Sequence, residues 1–258
     1  MEHDATPTQR SLDDALALMR DLRARCDWDR VQTHESLRPY LIEEAHEVDD
    51  AISHGDDATL RDELGDLFLQ VLFHSVVAEE RGAFTMHDVA GALVAKMHAR
   101  HPHLYGDGVK RSWESMKAER KPRESLDEGI PRGLPALHRA HRLQDRAAGA
   151  GFDWPDARGP LEKIREEANE VAAHIDAEGT VLDSAALESE LGDLLFAVVN
   201  FCRKTGVHAA LALDKANQKF VDRYAAMEKL AKERGLDFAS LSLDEQDVLW
   251  NEVKLLQR

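Results

Sequence analysis

Apolar side chains recur along this chain at intervals of three and four, the spacing that draws one stripe along a helix, and sustained strand-type alternation is absent. Leu12, Leu16, Met19 and Leu22 mark a first helix. Leu41, Ala45, Val48 and Ile52 mark a second, and Gly55-Asp56-Asp57 predicts the turn that ends it. Leu60, Leu64, Leu67, Val71 and Phe73 carry a third to about Glu80, where Gly82 breaks it. Val89–Arg100 reads as a fourth, stopped at His101-Pro102 because proline disfavours helix in the residue before it. Residues 105–134, punctuated by Gly and Pro and rich in Lys, Arg and Glu, read as a linker with room for a short helix at Trp113–Arg120. The pattern then restarts with Leu137–Ala148, Leu161–Ala177, Leu187–Lys204 and Leu211–Leu230. The expected fold is all-α: a tandem repeat of two helical-bundle domains, residues 1–104 and 135–258.

The repeat carries acids with it. Glu43-Glu44-x-x-Glu47 precedes Glu63-x-x-Asp66, and Glu166-Glu167-x-x-Glu170 precedes Glu190-x-x-Asp193. Glu63 to Glu190 is 127 residues, as is Asp66 to Asp193, whereas Glu44 to Glu167 is 123, so the second copy has a longer loop between its acidic helices. At about 100° per residue, Glu44 and Glu47 fall near 300° and 240° from Leu41, and Glu63 and Asp66 take the same angles from Leu60. Ile164 and Leu187 serve as references for the same result in the second copy. Each helix thus puts two acids at one edge of an apolar stripe expected to be buried, and antiparallel pairing would converge them on one ion.

Carboxylates about 4 Å apart repel by roughly 4 kcal/mol per pair at a surface-like dielectric, so such a cluster calls for a cation or protons. A lone E-x-x-E is usually a solvated helix face; recurrence of the whole order in matched phase favours the metal. Gly65 and Gly192, lying between the acids, cost about 1 kcal/mol each against Ala and suggest close approach by a neighbouring helix or ligand, with simple tolerance of Gly the other open reading. Oxygen-only ligands suit Mg²⁺, or Mn²⁺, better than zinc. Glu43-x-x-His46 mimics a di-iron bundle motif, but the second copy has Asn169 where His46 stands, which argues against iron. On the following helix Lys215, Lys219 and Arg223 stand four apart with Asn217 among them, and Lys96 and Arg100 keep that interval in the first copy. A phosphate clamp and a solvated basic ridge are both open readings. His101-Pro102-His103 has no second-copy counterpart and reads as local capping or surface.

Composition narrows the partners. Acids outnumber bases 49 to 33, a formal charge of -16, which argues against non-specific binding to nucleic acid or an anionic membrane. Cys26 and Cys202 form no disulfide framework, so reduced thiols in a cytoplasmic setting are expected. The start Met1-Glu2-His3-Asp4 lacks the basic and apolar regions of a signal peptide. No apolar run reaches the length needed to cross a bilayer.

On these residues the chain resembles the MazG family of nucleoside triphosphate pyrophosphohydrolases, within the all-α NTP pyrophosphatase superfamily, over nearly its whole length. The resemblance rests on Cys26-Asp27-Trp28-Asp29 with Gln32-Thr33-His34, both acid sets with their E-L-G-D segments, and Arg100-His101-Pro102-His103. It rests also on Pro135-Ala136-Leu137, Arg146-Ala147-Ala148, Gly151-Phe152-Asp153-Trp154 and Lys215-Ala216-Asn217 with Lys219-Phe220. It implies two MazG-like domains, a homodimer, and Mg²⁺-dependent hydrolysis of NTPs and dNTPs to monophosphate and pyrophosphate. It implies Glu167, Glu170, Glu190 and Asp193 as metal ligands, Lys163, Lys219 and Arg223 as triphosphate contacts, and Trp250 as a nucleotide contact. The first-copy equivalents are Glu44, Glu47, Glu63, Asp66, Lys96 and Arg100. Val94 stands where the second copy has Asn217, and nothing answers Trp250, so the second half is the better expectation for turnover. Given that chemistry, Glu166, with Glu43 its counterpart, is expected to activate the water attacking the α-phosphorus. A narrower dUTP- or phosphoribosyl-ATP-type hydrolase is the nearer alternative, and a non-enzymatic acidic module docking a basic partner the more distant one.

Overall fold

Three of the helices that carry acids start at side chains able to hold their free N–H groups. In the computed structural model, which describes residues 10–106, 108 and 125–256, Thr33 accepts from the Ser36 N–H while the Ser36 hydroxyl accepts from the Thr33 N–H. This reciprocal box opens helix α2 (His34–His54), which follows α1 (Leu12–Arg25). Asp56 accepts from Ala58 and Thr59 to open α3 (Asp57–Glu80), before α4 (Met86–Arg100) and the short α5 (Pro102–Tyr105). In the second half come α6 (Ala136–Gly149), α7 (Arg158–Ala173), α8 (Ser184–Lys204), α9 (Ala209–Glu233) and α10 (Leu243–Leu256). Asp183 caps α8 by accepting from Ala185 and Ala186. Among the described residues, β structure is limited to one isolated bridge, Ile175 to Val181.

The chain divides into two compact units, residues 1–110 and 111–258. In the first, α1 and α3 close on a core that includes Leu16, Met19, Leu37, Phe73 and Val76, and α2 lies along α3. In the second, α7 lies along α8, α6 joins α8, and α9 packs on α10 around Met227, Ala231, Leu249 and Val253. Buried Gln144 of α6 donates to the Phe196 carbonyl of α8 at 2.8 Å. Residues 125–134, at the end of the stretch read as a linker, are fastened to α6: Arg146 donates to the carbonyls of Leu126 and Glu128, each at 2.8 Å, and Ile130 is buried. The helix expected at Trp113–Arg120, and most of the linker before Ser125, lie outside the described residues.

Four expectations need correction. The second helix starts at His34, well before its apolar marker Leu41, and runs through Pro39, which lies past the first turn and leaves the Glu35 carbonyl without its backbone N–H donor. The helix expected to reach Ala177 stops at Ala173, because Asp176 folds the following residues back through bonds from Glu178 and Thr180; this ordered hairpin is the longer loop of the second copy. Helix α10 carries no element in the reading of the sequence beyond Trp250. The stripe on α2 is buried only at Leu37 and Ala51: Leu41 is exposed, as are Ile52 at 59 % and Leu64 of α3 at 48 %.

Candidate metal centre

In the second unit the α7–α8 pairing brings together Glu167, Glu190 and Asp193, with one carboxylate oxygen from each lying within 4.8 Å of the others. Two helices placed side by side suffice for this, since residues three or four apart on a helix share a face. Glu167 is 3 % exposed, while Asp193 faces solvent. Lys163, one turn before Glu167 on α7, bonds Glu167 closely and lies 3.0 Å from Glu166. That ammonium holds the Glu167 carboxyl below the usual carboxylate range and is itself raised by its two acid partners. Glu170 is pushed the other way, first by its contact with Glu167, then by burial and by the charges of Glu167 and Glu190. The cluster is therefore charged, crowded and only partly offset.

The first unit repeats the arrangement from α2 and α3. Glu44, Glu63 and Asp66 each contribute one oxygen within 4.8 Å of the others. Burial raises Glu44, with further contributions from contact with Glu47 and the charge of Asp66. Burial also raises Glu63, reinforced by Glu47, Asp66 and Asp62. Where the second copy has Lys163, this one has Tyr40 at the same offset as Glu44 from Glu167. Gln70 of α3 stands near Glu44 and pulls its raised carboxyl partly back down. Gln70 is 5 % exposed, and its Oε1 has no partner among the described residues. Sequence reading saw Gln70 only as a break in the apolar run Leu67–Val77. Its position four residues after Asp66, on the same helical face, was the available signal.

The remaining candidates fall into three groups. Glu47 and Glu170 border the two clusters as electrostatic neighbours without belonging to the tight oxygen triplets. Glu43 and Glu166 lie on the exposed side of their helices, and Glu166 bonds Lys163. Among the described residues Lys96, Lys215 and Lys219 form no ion pair, and Asn217 is exposed. Arg223 lies over the Trp250 ring at 5.5 Å, and Trp250 also meets Phe220 at 5.6 Å while packing on the α9–α10 core. Arg100 at the end of α4 is half-buried. A Cβ at Gly65 or Gly192 would meet nothing within 4 Å, so no neighbouring helix of the described chain crowds either glycine. His101 bonds the Met97 carbonyl at 2.7 Å, in keeping with a capping residue.

The MazG nucleotide pyrophosphohydrolase domain matches the chain twice, at residues 32–105 and 159–228, and each match contains one acid cluster. The chain is 41 % identical over 246 residues to the nucleoside triphosphate pyrophosphohydrolase of Escherichia coli (strain K12), covering 92 % of this chain and 93 % of that protein. It is 42 % identical over 249 residues to a Thermotoga maritima protein called nucleoside triphosphate pyrophosphohydrolase/pyrophosphatase MazG, covering 94 % and 95 %.

Proposed function

The chain belongs to the MazG family of nucleotide pyrophosphohydrolases, and from that premise we propose that it hydrolyses nucleoside triphosphates, ribo and deoxy, to monophosphate and pyrophosphate, chiefly at its second unit. The observation that carries the assignment is the triplet of Glu167, Glu190 and Asp193, with Lys163 paired to its one buried member, Glu167. A donor set made only of carboxylate oxygens suits Mg²⁺, with Mn²⁺ the natural substitute. Burial and neighbouring acids raise Glu44 and Glu63 in the first cluster, and contact with Glu167 raises Glu170 beside the second; the acid–acid part of that strain is what a cation would relieve. When bound, the cation offsets phosphate charge and lowers the pKa of a coordinated water.

The protein groups divide the remaining work. Glu167, Glu190 and Asp193 hold the ion, with Glu170 beside them. Glu166, solvent-facing and tied to Lys163, takes the proton of the attacking water as its oxygen bonds to the α-phosphorus. The bond from that phosphorus to the bridging oxygen breaks, and pyrophosphate carries the electron pair away. Lys163, Lys219, Arg223 and Asn217 meet the phosphate charge. Trp250 offers its half-buried ring to the base from a position fixed by the α9–α10 core. In the first unit Glu43, Glu44, Glu47, Glu63, Asp66, Lys96 and Arg100 repeat part of this set, without an equivalent of Lys163, Asn217 or Trp250. A homodimer is part of the proposal, as is a cytoplasmic location; no described helix is long and apolar enough to cross a membrane.

The test is pyrophosphate release from a mixed NTP and dNTP pool with Mg²⁺. Glu190→Gln and Asp193→Asn should each lower turnover by about 100-fold or more, while Glu63→Gln should keep most of the rate. Undiminished turnover in the first pair would remove the second unit from catalysis. Release of single phosphate in place of pyrophosphate would refute attack at the α-phosphorus.

A further inference from the structure

The first unit holds an open cavity of about 520 Å³ between the start of α2, the turn Asp29–Val31 before it and the end of α3. Its lining sets Arg23, Arg30 and Arg81 against Glu35 and Glu80, so cations are in excess there although the whole chain carries a formal charge of -16. Both acids already have arginines of their own. Glu80 accepts from Arg23 Nε at 2.8 Å, and Glu35 accepts from Arg38 at 2.6 Å. Arg30 pairs with Asp27 at 3.0 Å, but both side chains are largely in solvent, where such a pair is worth little and is readily exchanged.

Arg81 is placed differently. It donates to His34 Nε2 at 3.0 Å, a neutral imidazole in the place where a guanidinium makes its stronger bonds to carboxylate or phosphate. His34 is also the first residue of α2. The box made by Thr33 and Ser36 satisfies the N–H groups of those two residues, which leaves the N–H groups of His34 and Glu35 outside the helical ladder. They bring the partial positive charge of a 21-residue helix to the cavity wall beside Arg81. Along the helices, His34 lies ten residues from Glu44 and Arg81 fifteen from Asp66, about 15 Å and about 22 Å at the helical rise. The cavity is therefore separate from the acid cluster of its own unit.

We propose that this cavity binds the phosphate group of a small anion, held by Arg81, the His34 ring and the first N–H groups of α2, with Arg30 at the rim. The inference goes beyond nucleotide hydrolysis and depends on neither acid cluster. His34 can serve both the free and the bound state because His74 stands behind it, Nδ1 to Nδ1 at 2.8 Å. While Arg81 donates to it, His34 Nε2 is bare and its Nδ1–H donates to His74. An anion that takes over Arg81 lets the pair reverse: His74 Nδ1–H donates to His34 Nδ1, and His34 Nε2 carries a hydrogen to the anion. Each ring keeps one hydrogen in both arrangements, exchanged through water, so no net charge is gained or lost. At an offset of 127 residues, Phe201 and His208 stand for His74 and Arg81, so the second unit does not repeat this pair.

Orthophosphate titrated into the full-length protein with EDTA present, followed by calorimetry and by the ¹⁵N signals of labelled histidine, tests this. Saturable binding is expected, with the His34 Nε2 signal, identified by its loss in His34→Asn, moving from that of a bare nitrogen to that of one bearing hydrogen. Arg81 is exposed, so its variants leave the core intact: Arg81→Ala should weaken binding by about tenfold or more, and Arg81→Lys should recover part of it. Glu63→Gln and Glu190→Gln should leave it unchanged. AMP binding with the same dependence on Arg81 would identify a phosphomonoester as the ligand, and orthophosphate binding with AMP excluded would identify free phosphate. No binding of either, equal affinity in Arg81→Ala, or loss in Glu63→Gln or Glu190→Gln would each overturn the proposal. If His34→Asn does not fold, the Arg81 variants still decide it. A protein that binds phosphate here but releases no pyrophosphate from nucleotides would refute the catalytic reading alone.

Discussion

His34 and His74 show how one side chain can fix the proton of another. Arg81 can only donate, and it lies 3.0 Å from His34 Nε2, so that nitrogen accepts. Neutral His34 therefore carries its hydrogen on Nδ1 and donates it to His74 Nδ1 at 2.8 Å. His74 must then hold its hydrogen on Nε2, an atom buried without a partner among the described residues. Burial, with His34 second, keeps the His74 pKa below its ordinary 6.5. The unfolded chain thus binds more protons than the folded one between the depressed pKa and 6.5, so this contribution to stability is present above that window and lost as pH falls through it. Melting temperature should drop on acidification from neutral pH. His74→Phe, copying Phe201 at the same offset in the second copy, should make the fall shallower. It should not vanish, because His208 is depressed by burial and by His141 and His138 in the same direction. An identical pH slope in His74→Phe would reject the account. At this scale the acids were legible because carboxylates at three-residue spacing in matched phase are visible in any one-dimensional reading. Gln70 and the His34–His74 pair were not, since their meaning comes from what the neighbouring helix sets against them.

The helices themselves were legible where an apolar stripe and a punctuating residue coincide, as at Gly55 and at His101-Pro102, and less so where one signal was missing. Helix α10 has Leu249 and Val253 buried against α9 but leaves Leu243, Val248, Leu255 and Leu256 exposed, so its stripe is clear only once its partner is in place. The early end of α7 depended on Asp176 capturing backbone N–H groups, a local competition that helical periodicity does not register. Gly192 carries a prediction at this scale. It lies inside α8 with no atom within 4 Å of a would-be Cβ, so Gly192→Ala should raise stability by about 1 kcal/mol, read as a higher melting temperature or denaturant midpoint. Nothing in the described chain opposes the change. If a nucleotide's approach is what keeps the glycine, KM should rise in the same variant, and an unchanged KM would mean that α8 merely tolerates it.

Across the whole chain, helical phase correctly grouped Leu41, Ile52 and Leu64 with the acids at the edge of one stripe, yet it could not say what covers that stripe. The described chain leaves Leu41, Ile52 and Leu64 37 %, 59 % and 48 % exposed. Exposed apolar residues continue along α2 with Ile42 and along α8 with Leu191, Leu195 at 57 % and Phe196, close in sequence to the acids of each unit. Surfaces of this kind beside polar rims mark association sites, and an acid cluster bordered by them gains its dry wall only when a partner closes it. A second copy is the partner expected, and sedimentation should give twice the 28.9 kDa of one chain. Ile52→Glu and Leu195→Glu place charge on exposed positions, so each should fold with an unchanged helical spectrum while shifting the equilibrium toward single chains. Turnover per chain should then fall with dilution, more steeply in the variants than in the parent protein. A parent that sediments as single chains at assay concentration, with full turnover, would mean that each unit works with its apolar edge open to water.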